Sequence, residues 1–365
     1  LFYLRLTPFY IHKTQLIMYL SLRFLITFLF VTSLLSAQLL EELPAPYEAA
    51  FNDYSQDRDN RSVLRVKVVN LPADIKRDSL FGYSAVTLMR EDQKQGFVSI
   101  PNDGILNVAL PDGYPLQEVW FWLGDHFYGT IYIKGEVTIT MDYAALTATQ
   151  NNKWEHNGVT FSGPDAALAT YRSRQIATHL SGKLDYKNTM NDGNLSADRK
   201  HAIMNGIYLD LQKRDKLMFA DAPSEVAAIL KRTQKTAYLS CLNVVYWGED
   251  YPEKLRGTYR KHRPVVVSKK SRNFYAYHTT QIIAVGSQKA IKAMKSASKR
   301  PTANDLMITA VEYFLKKVDD YYDPPLADFL KLYLTAKDQD VNTLIRKKAL
   351  ATMSSSWAKE KLQAR

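Results

Sequence analysis

Catalysis in this chain would have to come from its thiol, its histidines, its paired carboxylates or its basic residues, and the spacing of each group says what it can do. There is a single cysteine, Cys241. It falls on a helical stripe with Tyr238, Leu242 and Val245, the setting of an inert core thiol, and thiol exchange within one chain needs a second cysteine to resolve the mixed disulfide. The seven histidines are dispersed, with no HExxH pair and no cysteine group beside them, so no zinc site is expected. The sequence carries no Gly-rich phosphate loop and no GxSxG elbow, the motifs of nucleotide hydrolysis and of a hydrolase nucleophile. Asp319 and Asp320 are adjacent carboxylates beside Tyr321 and Tyr322, and a wet helix terminus explains them more simply than acid–base chemistry. The reading therefore calls for no catalytic residue, no cofactor and no metal ligand.

The sharpest charge feature is the basic group Arg256, Arg260, Lys261, Arg263, Lys269, Lys270 and Arg272, with Tyr259, Phe274, Tyr275 and Tyr277 among and after it. A solvated basic face is its plain explanation; an anion-binding surface is the functional one. In an intracellular protein nucleic acid would be the partner to consider. Export removes that partner and leaves anionic glycan or a membrane surface.

Export is read from the front of the chain. Met18 opens a short region with one positive charge, Arg23, followed by the apolar run Phe24 to Leu35 and the small residues Ser36 and Ala37 before Gln38. These are the parts of a secretory signal peptide at 18–37, with 1–17 read as translation upstream of the true start, and the run falls short of the ~20 apolar residues of a membrane span. The expected location is the periplasm or cell envelope. Removing residues 1–37 takes away Arg5, Lys13 and Arg23 and no acid, so the net charge of +11 becomes +8. An exported chain with one cysteine has no disulfide framework and must hold together by packing.

Two periods of hydrophobicity divide the remainder. After a polar lead-in at 38–61, residues alternate apolar and polar at Val63–Val69, Ser84–Leu88, Gly96–Ile100, Ile105–Leu110, Glu118–Leu123, Phe127–Ile133 and Val137–Asp142, with turns such as Asn102-Asp103-Gly104 between them. The spacing predicts an antiparallel β-sandwich over 62–146. The aromatic group Trp120, Phe121, Trp122, Phe127, Tyr128 and Tyr132 reads as core and cross-strand pairs, with a carbohydrate-binding face as its other meaning. A polar linker at 147–158 leads to a last strand at Gly158–Ser162 and then, from Gly163-Pro164-Asp165, to helices. Leu168, Tyr171, Ile176 and Leu180 form the first stripe, and helix starts recur at Ser196, Pro223-Ser224, Thr302 with Asp305, Asp323-Pro324-Pro325 and Asp340. The stripe expected after Thr302 is Met307, Val311, Phe314, Leu315 and Val318. The fold class is thus α+β as two segregated domains, an N-terminal antiparallel β-sandwich and then, over 159–365, the last strand and an all-α helical domain.

Three stretches together carry a family resemblance: Leu35-Ser36-Ala37-Gln38, the strand pair Tyr128–Ile133 and Val137–Asp142, and Val159-Thr160-Phe161-Ser162-Gly163-Pro164 before a helix. In these the chain resembles the N-terminal region of TlpA-type thioredoxin-like (thiol:disulfide interchange) proteins of Bacteroidetes, without the thioredoxin domain. The resemblance implies a strand-rich region and then helices ahead of a thioredoxin module that does redox work through a CxxC motif. There is no CxxC here, so no catalytic residue carries over. The expectation is an exported, non-catalytic accessory or interaction protein whose partner is a thioredoxin-like module or another envelope protein. The alternatives are the front part of a periplasmic thiol–disulfide oxidoreductase, continued beyond Arg365, and a binder of anionic glycan or membrane surface.

Overall fold

The computed structural model describes residues 61–363 apart from 79, 88–92, 112–113, 149–156, 182–185, 297–301, 323–325 and 338–342. The signal-peptide and lead-in readings, and most of the polar linker at 147–158, lie outside the described residues. The architecture is α+β. Eight strands come first: β1 (Val63–Val69), β2 (Phe81–Ala85), β3 (Lys94–Val98), β4 (Ile105–Ala109), β5 (Gln117–Leu123), β6 (Phe127–Ile133), β7 (Glu136–Asp142) and, after the short helix α1 (Tyr143–Ala148), β8 (Val159–Ser162). The helices that follow are α2 (Ala166–Ser181), α3 (Tyr186–Asn191), α4 (Ala197–Met218), α5 (Ser224–Val245), α6 (Glu253–Lys261), α7 (Lys269–Ser296), α8 (Ala303–Tyr321), α9 (Leu326–Lys337), α10 (Thr343–Thr352) and α11 (Ser356–Gln363).

Alternation decides which face of each strand is buried. In β1, Leu64, Val66 and Val68 are buried while Arg65 and Lys67 are exposed. The strands form two four-stranded sheets, ordered β4-β1-β7-β8 and β3-β2-β5-β6. Side chains from both join one buried apolar cluster that includes Leu64, Val66, Phe81, Phe121, Ile131 and Ile139. One pairing departs from the antiparallel expectation: β1 runs parallel to β7, with Leu64 opposite Val137 and Val66 opposite Ile139. Alternation is the same in either direction, and the whole second sheet lies between these strands in sequence, which permits the crossover a parallel pair needs. The β2 and β3 boundaries also move toward the N-terminus, because Phe81 and Ala85 are both fully buried and Gly82 interrupts the apolar alternation between them. The turn before β4 uses Gly104 at φ +73°, where an added Cβ would stand 2.3 Å from the Val68 carbonyl oxygen.

The change from strand to helix at Gly163-Pro164-Asp165 is fastened to the sheet. Gly163 takes φ +93°. One oxygen of the Asp165 carboxylate accepts hydrogen bonds from the backbone N–H groups of Lys134 at 2.9 Å and Gly135 at 2.7 Å, and the Asp165 N–H donates to the Glu136 carbonyl at 3.1 Å. Asp165 therefore holds the β6–β7 turn against the start of α2, beyond placing a charge near a helix N-terminus.

The helices gather a second buried cluster, with Tyr259, Phe274, Tyr275, Phe314, Phe329 and Leu330 at its centre. Capping matches the sequence signals: Ser196 accepts from the Arg199 N–H, and Thr302 with Asp305 forms a full capping box. The stripe on α8 starts later than expected. Val311, Phe314, Leu315 and Val318 are buried, but Met307 in the second turn is 45% exposed, since the covered arc begins at Ala310. On α2 the stripe is rotated: Ala169, Arg172, Ser173 and Gln175 are the buried residues beside Leu168 and Tyr171, while Ile176 is half-buried.

Replacing Asp165 by alanine strands two N–H groups of the β6–β7 turn, which is expected to cost about 2–4 kcal/mol. Urea unfolding of Asp165→Ala measures this, and a loss below about 0.5 kcal/mol would mean the turn does not depend on the carboxylate.

Candidate functional site

The densest set of ionisable side chains is buried where α2, α4 and α7 meet the β5–β6 end of the second sheet. Glu118 alternates onto the outer face of β5, away from the sheet-to-sheet core, and α2 covers that face along β6. Arg172 on α2 donates from Nη2 to Glu118 Oε1 at 2.9 Å, with the two side chains 1% and 2% exposed. Nη1 of Arg172 donates to Gln175 Oε1 at 3.1 Å; Gln175 Nε2 donates to Asp215 Oδ2 on α4 at 2.8 Å; Asp215 Oδ1 meets His179 Nε2 at 3.0 Å. Arg172, Gln175 and His179 stand at positions i, i+3 and i+7, one face of α2, so a single helix delivers three members of the chain.

The other Glu118 oxygen, Oε2, accepts the backbone N–H of Lys269 at 3.0 Å, at the first residue of α7. A carboxylate there meets the positive end of the helix dipole. Reciprocal bonds between Ser268 and Ser271 complete the cap: each hydroxyl accepts the other's N–H, at 2.9 and 3.1 Å. The preceding residues extend the sheet, Val267 donating to the Leu116 carbonyl and accepting from the Glu118 N–H, both at 2.8 Å. Lys270, half-buried, supplies a second cation. Loss of hydration, and then the charge of Arg172, push its ammonium down to about 8, while Glu118 and Asp215 pull the other way. Arg172 also lies 4.7 Å above the Tyr132 ring, and burial drives the Tyr132 phenol far above its ordinary range.

The site residues read from sequence do not stay together. Arg256, Arg260 and Lys261 are exposed on α6, and Arg263 follows half-buried. At the start of α7, Lys269 gives Glu118 its backbone N–H while its side chain is exposed, and Lys270 follows half-buried. Arg272, half-buried in the first turn of α7, has its own contact. The aromatics interleaved with them belong to the core, since Tyr259, Phe274 and Tyr275 are fully buried. The aromatic group on β5 and β6 also divides: Phe121 and Phe127 pack inside at 5.5 Å, Tyr132 lies under Arg172, and Trp120, Trp122 and Tyr128 are half-buried on the outer face, with Phe97 edge-on to Trp122.

The remaining candidates are engaged. Asp319 accepts from Lys331 at 2.8 Å and Asp320 from Lys317 at 2.7 Å. His278 is buried in a stack with Tyr251, Tyr259 and Phe274, and burial lowers it to about 3, so it is neutral in water near pH 7. Among the described residues no group of three or more His, Cys, Asp or Glu is placed to hold a metal ion. A small cavity of about 10 Å³ lies away from the Glu118 network, among Tyr251, Gln281, Tyr313 and Tyr321, with room for about one solvent molecule. Cys241 is a free, half-buried thiol packed on the helical core. Sequence reasoning missed Glu118, Arg172, Gln175, His179 and Asp215; the i, i+3, i+7 polar face on α2 was the available signal. No protein-family model, no curated protein and no solved structure matches the chain.

Arg172→Ala leaves Glu118 buried without its cation and is expected to lose about 3–5 kcal/mol, whereas Arg172→Met combined with Glu118→Leu recovers most of it. Equilibrium unfolding of the three variants checks this, and a single variant as stable as wild type would refute the pairing. Lys270 gives a pH signature. Its folded pKa of about 8 lies below the ~10.4 of an unfolded lysine, so the unfolded chain binds more protons in that window and stability rises with pH across it. Lys270→Met should be more stable than wild type below pH 8 and should flatten the rise; urea midpoints at the two ends of the window read both.

Proposed function

We propose that this chain is an exported, non-catalytic accessory or interaction protein, built as a β-sandwich at 62–146, completed by the strand at 159–162, and a helical domain that follows. The observation that carries the reading is the use made of Glu118, Arg172, Gln175, Asp215 and His179. They form a network whose side-chain hydrogen bonds run among themselves and to the N-terminus of α7. Groups with the reactivity for acid–base chemistry are spent on fastening helices to a sheet, at a site with almost no solvent access. A joint of this kind suits a protein whose work is to present surfaces at fixed positions. The Met18 signal supports an envelope location, and the layout shared with TlpA-type N-terminal regions supports a role in positioning or shielding a thioredoxin-like module or another envelope protein.

The test is insulin reduction with dithiothreitol as electron source. The chain is expected to give the rate of the protein-free blank, and Cys241→Ser the same rate. Turnover above the blank that Cys241→Ser abolishes would overturn the non-catalytic reading.

A further inference from the structure

The basic surface around α6 has an organisation of its own. Arg256 and Arg260 stand one helical turn apart on the exposed side of α6, whose apolar residues Leu255 and Tyr259 face inward. Arg260 lies 6.0 Å from the centre of the Tyr321 ring and Arg263 5.2 Å from that of Tyr322. Arg263 is pinned further, since its Nη1 donates to the carbonyls of Arg260 at 2.7 Å and His262 at 3.1 Å. Lys235 lies in the turn of α5 between Arg232, whose Nη1 donates to the Arg263 carbonyl at 3.4 Å, and Thr236, which bonds His262. His262, buried between them and bonded to Thr236 at 2.9 Å, is held neutral by burial and by the positive charges of Lys235, Arg232 and Arg263.

Of the acids on and around α6, Asp250 pairs with Lys289, Asp319 with Lys331 and Asp320 with Lys317, while Glu253, exposed one turn before Arg256, leaves a single carboxylate beside the group. Among the described residues Arg256, Arg260, Arg263 and Lys235 make no ion pair. Gathering like charges is unfavourable on its own, and an oxyanion relieves it. Guanidinium groups laid on tyrosine rings have already lost side-chain freedom, so less is lost when they grip a planar carboxylate or a sulfate.

We propose that Arg256, Arg260, Arg263 and Lys235 form a binding surface for an anionic polysaccharide, one bearing carboxylate or sulfate groups. A membrane surface fits less well. A helix lying in a lipid interface turns an apolar face outward, and on α6 that face is inside. The surface excludes Lys261, Lys269, Lys270 and Arg272, which the sequence grouped with it, and includes Lys235, which it did not. It is independent of the accessory reading, because insulin reduction and glycan binding can fail separately.

The test uses the full chain with heparin and polygalacturonate as probes, neutral dextran as control, and phosphatidylserine-containing vesicles as the lipid arm. At low salt the chain is expected to bind at least one polyanion and not dextran, with affinity falling as salt rises. Arg256→Glu with Arg260→Glu should weaken binding by about tenfold or more, and Arg256→Gln with Arg260→Gln by an intermediate factor. All four changes are at exposed positions, so folding is expected to persist, and circular dichroism checks it. Reversing two exposed charges on α4, Arg214→Glu with Lys216→Glu, should change affinity by less than about twofold. Equal weakening by the α6 and α4 pairs, binding to vesicles alone, or no binding to either polyanion at low salt would each overturn the proposal.

Discussion

The structure depends on one buried carboxylate with two obligations. Glu118 sits on the outer face of β5, and its two oxygens are divided between the guanidinium of Arg172 and the first N–H of α7. Taking that charge out of water costs several kcal/mol, so the position holds only while both partners are supplied. Because one partner is on α2 and the other is the start of α7, sheet and helices must come together for either bond to form. Asp215 continues the arrangement to α4, so three helices are fixed relative to one strand by four side-chain hydrogen bonds and a helix cap. Arg172 faces Glu118 at 2.9 Å, and in a low-dielectric setting that close opposite charge is what makes the buried carboxylate tolerable.

The same device recurs near the end of the chain. Lys331, with its side chain 1% exposed, takes Asp319 from α8 and donates to the Thr352 carbonyl at the end of α10. Asp328 accepts the N–H groups of Ser354 and Ser355 ahead of α11, at 2.9 and 2.6 Å. Apolar burial supplies cohesion within each of the two clusters, while directional polar bonds set how elements meet. Apolar contacts tolerate sliding; a charge with a fixed partner does not. That is the physical reason to assign the buried charges to assembly and to look for function on the exterior.

Much of the architecture was legible because its signals are local. Alternation at Val63–Val69 and Phe127–Ile133, the proline-led start at Pro164, the caps at Ser196 and Thr302 and the stripe Val311, Phe314, Leu315 and Val318 each need only a few neighbouring residues to declare themselves. What stayed hidden required the tertiary partner. Nothing in the alternation of β1 says that its neighbour β7 runs parallel. The basic run at Lys269-Lys270 concealed the start of a 28-residue helix, because its cap partner is a glutamate 151 positions earlier. Arg172, Gln175 and His179 share one polar face of α2, a pattern that a solvated face would give equally, and only the presence of Glu118 and Asp215 opposite turns it inward. The basic group proposed to bind anions was half legible: Arg256, Arg260 and Arg263 were visible as a charge run, but Tyr321 and Tyr322, whose rings lie against two of them, come from the end of α8, and Lys235 from α5.

The central claim, that Glu118 couples sheet and helices into one cooperative structure, is tested most directly by native-state hydrogen exchange. In the wild-type chain the slowest amides of β5 and β6 and those of α2 and α7 should open with the same free energy, and in Glu118→Gln the two sets should separate, with α7 amides exchanging through a lower-energy opening. Sheet and helix amides that already open with different free energies in the wild type, or that stay matched in Glu118→Gln, would contradict it.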